Sequence, residues 1–367
     1  MHTLRILPNS TVLVRVDYNI SNLEELFRIE SSKKTILELL EGNKKVILMT
    51  HYGRPTNRET NLSTQNLVEV IAKTIGIRPI FVDQTESFKE AKKIIDQSNN
   101  KLFLLENTRF LQEENTKDEK IKIDLAKEYA TLGKYLIDEA FSVSHRKEVT
   151  NFYLKKILSW DFGYRHTLEK TNLDRLKNPQ KPFYLILGGA KVETKLPMIE
   201  NLIDKADKIL LGGKICFTFL EFLRRQGETI PPLFDSPFEE VFIPIVGELL
   251  TKYKEKIVLP VDLVYKSTND KTVAGDVGAV TTSNYIKLLE EAKTVFWNGT
   301  LGQTEQPSFA YSSTQIAKYL TTLENGLQNT FVVVGGGDTE SFLTESQKKS
   351  YSFVSTGGGA CLDYLSR

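Results

Sequence analysis

Short apolar runs alternate with longer amphipathic segments along the whole chain. This alternation predicts parallel strands separated by helices, because a helix carries the chain back before the next parallel strand begins. The clearest strand is Phe-Tyr-Leu-Ile-Leu at positions 183–187, where five apolar residues after Pro182 suit a strand buried on both faces. We therefore predict an α/β fold of mostly parallel sheets, with ligands bound where the strands end.

A chain of 367 residues is too long for one ordinary hydrophobic core, so we expect two domains. Charged residues interleaved with leucines from about Lys155, followed by prolines up to Pro182, predict a connecting helix and a stiff strap with a hinge. The four prolines between Phe222 and Lys256 predict a loop-rich excursion. The expected boundaries are an N-terminal domain at 1–162, the helix and strap at 163–181, a C-terminal domain at 182–352, and a segment returning toward the hinge at 353–367.

The composition is that of a globular protein, with 40% hydrophobic and 26% charged residues. A net charge of +1 gives no global excess of either sign, which argues against nucleic acid or an anionic membrane as the main partner. The two cysteines, Cys216 and Cys361, form neither a disulfide framework nor a paired metal-binding spacing, which fits a reducing compartment. Neither an N-terminal export pattern nor an apolar stretch of about 18–20 residues occurs, so we expect a cytoplasmic protein.

Cationic and polar side chains follow the predicted strands of the first half, and they comprise Asp17, Asn19, His51, Arg54, Arg109, His145 and Arg146. If these strand ends converge, the residues form a cationic bowl, and Arg28, just before the helix predicted at 31–40, joins it. An arginine fork matches phosphate and carboxylate oxygens in pairs, so such a bowl suits a small, highly charged substrate. Taken singly, each arginine could instead be a surface salt-bridge partner, and the bowl is inferred from their recurrence at several strand ends.

Glycines follow the predicted strands of the second half, at positions 188–189, 212–213, 299, 335–337 and 357–359. Glycine lets flat rings and phosphates approach the main chain, and N–H groups at helix starts bind phosphate oxygens, which predicts a nucleotide. The alternative is that these glycines form only tight turns and helix caps. Lys191 and Lys195 share one face of the next predicted helix and repel each other, which favours an anionic ligand beside them. The chain has no Walker sequence and no complete Gly-x-Gly-x-x-Gly fingerprint.

Seven stretches together resemble, in order, the signature motifs of the phosphoglycerate kinase family. They are Val14-Arg-Val-Asp-Tyr-Asn19, His51-Tyr-Gly-Arg-Pro55, Leu105-Glu-Asn-Thr-Arg-Phe110, Leu187-Gly-Gly-Ala-Lys-Val192, Trp297-Asn-Gly299, Gly335-Gly-Gly-Asp-Thr339 and Ser355-Thr-Gly-Gly-Gly-Ala360. Each motif alone is weakly specific, but seven in the correct order, from about residue 11 to about residue 362, cover almost the whole chain.

The resemblance implies two Rossmann-like, three-layer α/β domains with parallel sheets joined by a hinge helix. The N-terminal domain would bind 3-phosphoglycerate or 1,3-bisphosphoglycerate and the C-terminal domain Mg-ADP or Mg-ATP, in a monomer whose partners are these small molecules. By motif match, the substrate-binding residues are Asp17, Asn19, Arg28, His51, Arg54, Arg109, His145 and Arg146. The nucleotide-binding residues are Gly188, Gly189, Lys191, Lys195, Gly212, Gly213, Asn298, Glu305, Gly336, Gly337, Asp338, Thr339, Gly357 and Gly358. The resemblance also makes Asp338 the Mg²⁺ ligand and Arg28, Lys191 and Lys195 the catalytic residues.

The implied reaction is direct phosphoryl transfer without a phospho-enzyme, with hinge closure to exclude water. Some residues depart from the family pattern, namely Lys214, Thr300, Gln303 and Thr304 near the expected adenosine site, and Lys147-Glu148, where the family has small residues and another histidine. Two other classes stay open. One is a non-catalytic relative that binds nucleotide or a partner protein, and the other is an NAD-linked dehydrogenase, which the missing dinucleotide fingerprint disfavours.

Overall fold

Apolar runs form the strands of two parallel sheets, one in each half of the chain. The computed structural model describes residues 6–20, 22–24, 26–42, 44–324 and 329–367. The chain divides into two units, Met1–Lys170 and Thr171–Arg367, and each contains a six-stranded sheet with helices between its strands. The predicted α/β fold is thereby confirmed.

The first unit orders its strands β3-β4-β2-β1-β5-β6. These are β1 (Thr11–Arg15), β2 (Lys45–Met49), β3 (Ile80–Val82), β4 (Leu102–Leu105), β5 (Tyr135–Asp138) and β6 (Ser159–Phe162). The helices are α1 (Phe27–Glu41), α2 (Val68–Ile75), α3 (Phe88–Gln97), α4 (Glu119–Leu132) and α5 (Tyr164–Lys177), the last of which contains the division between the units.

Successive side chains of a strand point to opposite faces of the sheet, so apolar strands leave apolar side chains on both faces. Helices cover both faces of the first sheet. Val12 and Val14 pack on one face in a core shared with α1 and α2. Leu13 lies on the other face, in a core shared with α3 and α4. Helix α4 begins after Asp118, whose carboxylate accepts hydrogen bonds from the N–H groups of Lys120 and Ile121. The unit therefore has three layers.

The second unit orders its main strands β14-β13-β12-β7-β8-β9 and adds an antiparallel pair, β10-β11. The strands are β7 (Phe183–Leu187), β8 (Lys208–Leu211), β9 (Ile257–Val258), β10 (Leu263–Ser267), β11 (Thr272–Val277), β12 (Thr294–Asn298), β13 (Phe331–Gly335) and β14 (Phe353–Val354). The helices are α6 (Val192–Leu202), α7 (Gly213–Arg225), α8 (Ile243–Tyr253), α9 (Ala279–Leu289), α10 (Tyr311–Glu324), α11 (Gly337–Phe342), α12 (Glu345–Ser350) and α13 (Gly359–Leu365).

The proline-bearing segment 222–256 is less irregular than its sequence predicts. It contains the end of α7 and the whole of α8, whose first turn carries Pro244. A proline in the first turn costs no intrahelical hydrogen bond, since those N–H groups have no partner in any helix. The prediction of a loop-rich excursion was therefore wrong for residues 222–225 and 243–253, which are helical.

The last residues of the chain pack within the second unit. Phe353–Val354 forms an edge strand beside β13, and α13 follows it. The hydroxyl of Tyr364 donates a hydrogen bond to Asp174 in α5 (2.6 Å), and the side chain of Asn201 in α6 donates one to the Leu365 carbonyl. Over the described part of the chain, no helix combines the length and apolar character needed to cross a membrane.

Candidate active site

The strand orders identify one switch point in each sheet. From β1 the chain adds strands on one side and then returns to the other side with β5, and from β7 it returns with β12. Ligands of open parallel sheets bind at the carboxyl ends of the strands beside such a switch. Asp17 and Asn19 follow β1, and Gly188 and Gly189 follow β7, so both predicted sites lie at these positions.

Asp17 is the acceptor of a polar cluster at the end of β1. Its carboxylate accepts hydrogen bonds from the Arg28 guanidinium, from the Ser142 hydroxyl (2.6 Å) and from the Asn19 N–H (3.2 Å). Burial alone raises the pKa of Asp17, but the charge of Arg28 and these hydrogen bonds hold it well below its usual value. The Asn19 side chain accepts from the N–H of Gly53 (2.8 Å), which fixes the loop that carries Arg54.

His51 is buried and does not supply the positive charge expected of it. Its Nδ1 lies 3.2 Å from the Nη2 atom of Arg15, and since arginine only donates, Nδ1 is the acceptor. Burial lowers the pKa of His51 well below its usual value, and Arg15 and Arg109 lower it further against the opposite effect of Asp17. The ring is therefore neutral at pH 7.

Three of the predicted arginines converge on one cleft. Arg54, Arg109 and Arg146 all line it, together with the segments 55–58 and 110–112 and with Asn115 and Glu148. Arg109 is held in place by a hydrogen bond from its Nη1 atom to the Gly53 carbonyl (2.8 Å). His145 is exposed beside the cleft, and its Nε2 accepts a hydrogen bond from Arg146 (3.4 Å). The cleft has the charge expected of a phosphate and carboxylate site.

One carboxylate, that of Glu148, lies among these arginines. Its Oε1 atom is 3.4 Å from both Arg109 Nη2 and Arg146 Nη1, and its Oε2 atom is 3.5 Å from Arg15 Nη2. The Glu148 side chain is only 4% exposed. Burial alone raises its pKa, but the surrounding positive charges lower it below its usual value, so Glu148 is ionised at neutral pH.

A buried layer connects Glu148 to the sheet. Arg15, in β1, donates from Nε to the Thr150 hydroxyl (2.9 Å) and from Nη1 to the Val16 carbonyl (2.5 Å). Thr150 in turn donates to the Oε1 atom of Glu114 (2.5 Å). Burial and the nearby Glu148 charge raise the pKa of Glu114 to about 8, so this carboxyl is largely protonated at pH 7.

In the second unit, three glycine-bearing loops pack main chain against main chain. The Gly189 N–H donates to the Thr300 carbonyl (2.7 Å), the Gly213 N–H to the Leu301 carbonyl (2.8 Å), and the Lys214 N–H to the Gly189 carbonyl (3.0 Å). A Cβ on Gly213 would lie 2.5 Å from the nitrogen of Gly189, and its φ of +57° also requires glycine. Some of the glycines therefore serve loop packing, as the alternative interpretation of the sequence allowed.

Lys191 and Lys195 differ in exposure. Helix α6 begins at Val192, so Lys191 is its exposed N-cap, whereas Lys195 lies one turn further and is 7% exposed. The Nζ atom of Lys195 is 3.4 Å from the position that a Cβ on Gly189 would take. Burial lowers the pKa of Lys195, the charge of Asp338 raises it, and the charge of Lys191 lowers it. Both lysines and Asp338 therefore lie close enough to interact.

A cavity adjoins these loops. Its lining includes the predicted residues Gly189, Gly213, Glu305 and Asp338, and also Lys214, Phe217, Gly275, Asp276, Thr300, Gly302 and Gln303. Lys214 forms an ion pair with Glu239. Burial raises the pKa of Asp276 to about 6, although its carboxylate accepts hydrogen bonds from Ser312. Lys214, Thr300 and Gln303 are three of the four departures from the family pattern near the expected adenosine site, and they line this cavity, whereas Thr304 does not.

The remaining predicted nucleotide residues lie outside this lining. The N–H of Gly299 donates to the Thr339 hydroxyl (2.8 Å), so Thr339 supports the β12 loop. The Asn298 Nδ2 atom is buried without a hydrogen-bond partner among the described residues, 3.1 Å from the position of a Cβ on Gly336. Gly337 and Gly358 face open space, and Gly357 donates to the Ser355 hydroxyl (3.0 Å). Gly188 and Gly212 pack against Thr300 and Leu301.

Asp338 is the candidate Mg²⁺ ligand. Within residues 6–20, 22–24, 26–42, 44–324 and 329–367, no group of three His, Cys, Asp or Glu side chains could hold a metal by itself. Mg²⁺ at nucleotide sites is usually held by one or two carboxylates, substrate phosphates and water. A single carboxylate on the cavity wall fits that pattern.

Arg15, Glu114 and Asp276 are functional candidates that the sequence analysis did not select. A charged residue at the end of an apolar strand, as Arg15 is in β1, could have signalled a buried network. Glu114 and Asp276 carry no comparable local signal, because their surroundings come from distant parts of the chain.

Comparison with known proteins decides the family. The family model described as phosphoglycerate kinase matches residues 4–367. The chain belongs to the phosphoglycerate kinase family. A phosphoglycerate kinase of Finegoldia magna is 34% identical over 386 residues, which cover 97% of this chain and 93% of that protein. One of Aquifex aeolicus is 33% identical over 383 residues, with coverages of 96% and 92%.

Solved structures agree with this assignment. The phosphoglycerate kinase of Coxiella burnetii is 27% identical and superposes with a TM-score of 0.77, covering 98% of this chain and 94% of that one. The phosphoglycerate kinase of Pyrococcus horikoshii, at 24% identity, shares the fold with a TM-score of 0.81 over the same shares of the two chains. Since the phosphoglycerate kinase family is a family of kinases, the predicted class of enzyme is confirmed.

Proposed function

We propose that the protein catalyses reversible, Mg²⁺-dependent phosphoryl transfer between 1,3-bisphosphoglycerate and ADP, giving 3-phosphoglycerate and ATP in glycolysis and gluconeogenesis. One observation carries the proposal: the two parallel sheets end in an arginine-lined cleft in the first unit and in a glycine-lined cavity in the second. The cleft suits a small phosphorylated acid, and the cavity suits a nucleotide.

In the first unit, Arg54, Arg109 and Arg146 would bind the phosphate and carboxylate oxygens of phosphoglycerate. Asp17 would accept a hydrogen bond from its hydroxyl group, and the amide side chain of Asn19 would donate a hydrogen bond to that group or accept one from it. Arg28 would face the transferred group, and neutral His51 would offer its Nε2–H as a donor. His145, beside Arg146, would contact the same ligand.

In the second unit, the ribose and base would occupy the cavity next to Glu305, Gly213 and Lys214. The phosphates would lie near Lys191, Lys195 and Gly189, with the open positions at Gly337 and Gly358 admitting close approach to the main chain. The buried Nδ2 of Asn298 would find its acceptor in the ligand. Asp338 would hold Mg²⁺, which supplies neutralisation of phosphate charge when bound.

The transfer needs no acid or base from the protein. A terminal phosphate oxygen of ADP attacks the acyl-phosphate phosphorus, the bond from phosphorus to the carboxyl oxygen breaks, and the carboxylate leaves with the electron pair. No phospho-enzyme is required. The catalytic contributions are positioning and charge neutralisation, which Arg28, Lys191 and Lys195 would supply.

Two ligands bound to different domains must meet, so we also propose closure about the segment 163–181. The proposed domains, 1–162 and 182–352 with the segment 353–367, accord with a division of the chain inside α5. Closure would exclude water that would otherwise hydrolyse the acyl phosphate. Small-angle scattering should show compaction when both ligands are added, and turnover without compaction would contradict the hinge.

The activity is tested by 3-phosphoglycerate-dependent release of ADP from Mg-ATP, repeated with GTP to compare the bases. We expect turnover in the parent protein, and we expect Arg54→Ala to lose 3-phosphoglycerate binding while retaining Mg-ADP binding. Ligand binding without turnover would instead favour a non-catalytic relative of the family.

A further inference from the structure

The phosphoglycerate cleft contains an anion of its own. The Glu148 carboxylate is 3.4 Å from guanidinium nitrogens of both Arg109 and Arg146. These two arginines are the ones that, with Arg54, would hold a phosphate or carboxylate of the substrate under the proposed function. A bound phosphate oxygen would therefore approach a fixed negative charge as well as the arginines.

The contacts of Glu148 with the two cleft arginines are long. Strong charge-assisted pairs between a guanidinium and a carboxylate have N···O distances of about 2.7–2.9 Å. At 3.4 Å, each arginine is only loosely paired, so a tetrahedral anion could take over both guanidinium groups with shorter hydrogen bonds.

Glu148 itself cannot easily move away when that happens. Its other oxygen faces Arg15, at 3.5 Å, and Arg15 is fully buried. Arg15 is fixed by hydrogen bonds to Thr150 and Val16, and Glu148 immediately precedes a π-helical turn, Val149–Tyr153. The carboxylate therefore stays close to the place where the incoming anion binds.

We propose that Glu148 is an affinity-determining residue of the phosphoglycerate cleft: it neutralises Arg109 and Arg146 before the ligand binds and then repels the ligand's phosphate or carboxylate. The identity of the ligand rests on the proposed function, whereas the competition for the arginines rests only on the geometry. The consequence is weaker binding and faster release of anions than the arginines alone would give.

The test compares Glu148→Gln, which removes the charge and keeps the shape, with Glu128→Gln. Glu128 is exposed on α4, so this control makes the same change in net charge away from the cleft. Calorimetric titrations use inorganic phosphate and 3-phosphoglycerate in a low-salt buffer. Removal of one charge a few ångströms from a bound anion should tighten the binding of both ligands by at least about tenfold in Glu148→Gln. Glu128→Gln should bind both as the parent does.

Steady-state kinetics provide a second measurement, which a purely structural role of Glu148 would leave unchanged. In the 3-phosphoglycerate-dependent assay, Glu148→Gln should lower KM for 3-phosphoglycerate by about tenfold and leave kcat unchanged or lower, because release becomes slower. Circular dichroism checks that the variant is folded. If Glu148→Gln does not fold, Glu148→Ala removes the same carboxylate without adding a charge.

The outcomes distinguish a failure of this inference from a failure of the proposed function. If a folded variant without the carboxylate binds inorganic phosphate no more tightly than the parent, the inference is wrong, whatever the turnover. If phosphate binds more tightly but no form turns over 3-phosphoglycerate, the inference stands and the proposed function fails.

Discussion

The most direct test of the nucleotide site is the replacement of Lys195 by alanine. The Lys195 side chain is 7% exposed, and its ammonium group adjoins the Gly189 turn and the Asp338 carboxylate. In such surroundings, with an effective dielectric constant of about 20, two unit charges about 4 Å apart interact by about 4 kcal/mol. If that interaction is made with the transferred phosphoryl group, its loss lowers turnover about a thousandfold.

Lys191 provides the comparison, because it precedes the same helix but is exposed. The same pair of charges interacts by only about 1 kcal/mol in water, so Lys191→Ala should reduce turnover only about fivefold. Lys252→Ala, at an exposed position of α8, controls for the loss of one positive charge and should have no effect.

The assay is 3-phosphoglycerate-dependent ADP release at saturating Mg-ATP, with 3-phosphoglycerate binding measured separately by calorimetry. We expect Lys195→Ala to retain that binding, since Lys195 belongs to the other unit. Turnover within about threefold of the parent in a folded Lys195→Ala protein would refute both the role of Lys195 and the dielectric argument behind it.

Gly213→Ala should weaken Mg-ADP binding by at least about tenfold in calorimetry, because its Cβ would meet the main chain of Gly189 at 2.5 Å; unaltered affinity would contradict the packing argument. Asp338→Asn should raise the Mg²⁺ concentration for half-maximal turnover about tenfold, and an unchanged requirement would remove Asp338 as the ligand. Glu114 has its pKa raised from 4.5 to about 8 in the folded state, so its stabilisation is complete below pH 4.5 and is lost as the pH rises to 8. Urea unfolding of Glu114→Gln should therefore show a smaller fall in unfolding free energy between about pH 5 and 8, and equal slopes would contradict this assignment.

The strands were predictable because their signal is local. The apolar run predicted at 183–187 has the same bounds as β7, and the glycines after it mark the switch point of the second sheet. The periodicity of apolar residues reflects which side chains are buried, and the position of a glycine reflects backbone sterics. Both signals are contained within the segment itself. Pro244 shows the limit of such signals, since the same residue that breaks a helix interior is tolerated in a first turn.

The electrostatics of the site were not predictable to the same extent. His51 was expected to be cationic, yet burial and two arginines from other segments, Arg15 and Arg109, keep it neutral. Glu148 was noticed in the sequence only as a departure from a family pattern. Two of its three arginine neighbours, Arg15 and Arg109, are supplied by distant segments. A pKa depends on charges and burial contributed by distant residues, so only the folded chain determines it.

The first unit neutralises most of its cleft arginines in part before any ligand arrives. Arg28 is paired with Asp17, and Arg109 and Arg146 share Glu148. An incoming anion must displace these internal carboxylates from the arginines. The net gain in binding free energy is therefore only the difference between the anion's contacts and the internal contacts that are lost. Arg54 differs, because it is exposed in the same cleft and has no ion-pair partner among the described residues. Arg54 therefore offers the largest net electrostatic gain of the cleft arginines, and its replacement should cost more ligand affinity than that of Arg146, whose charge Glu148 already balances in part.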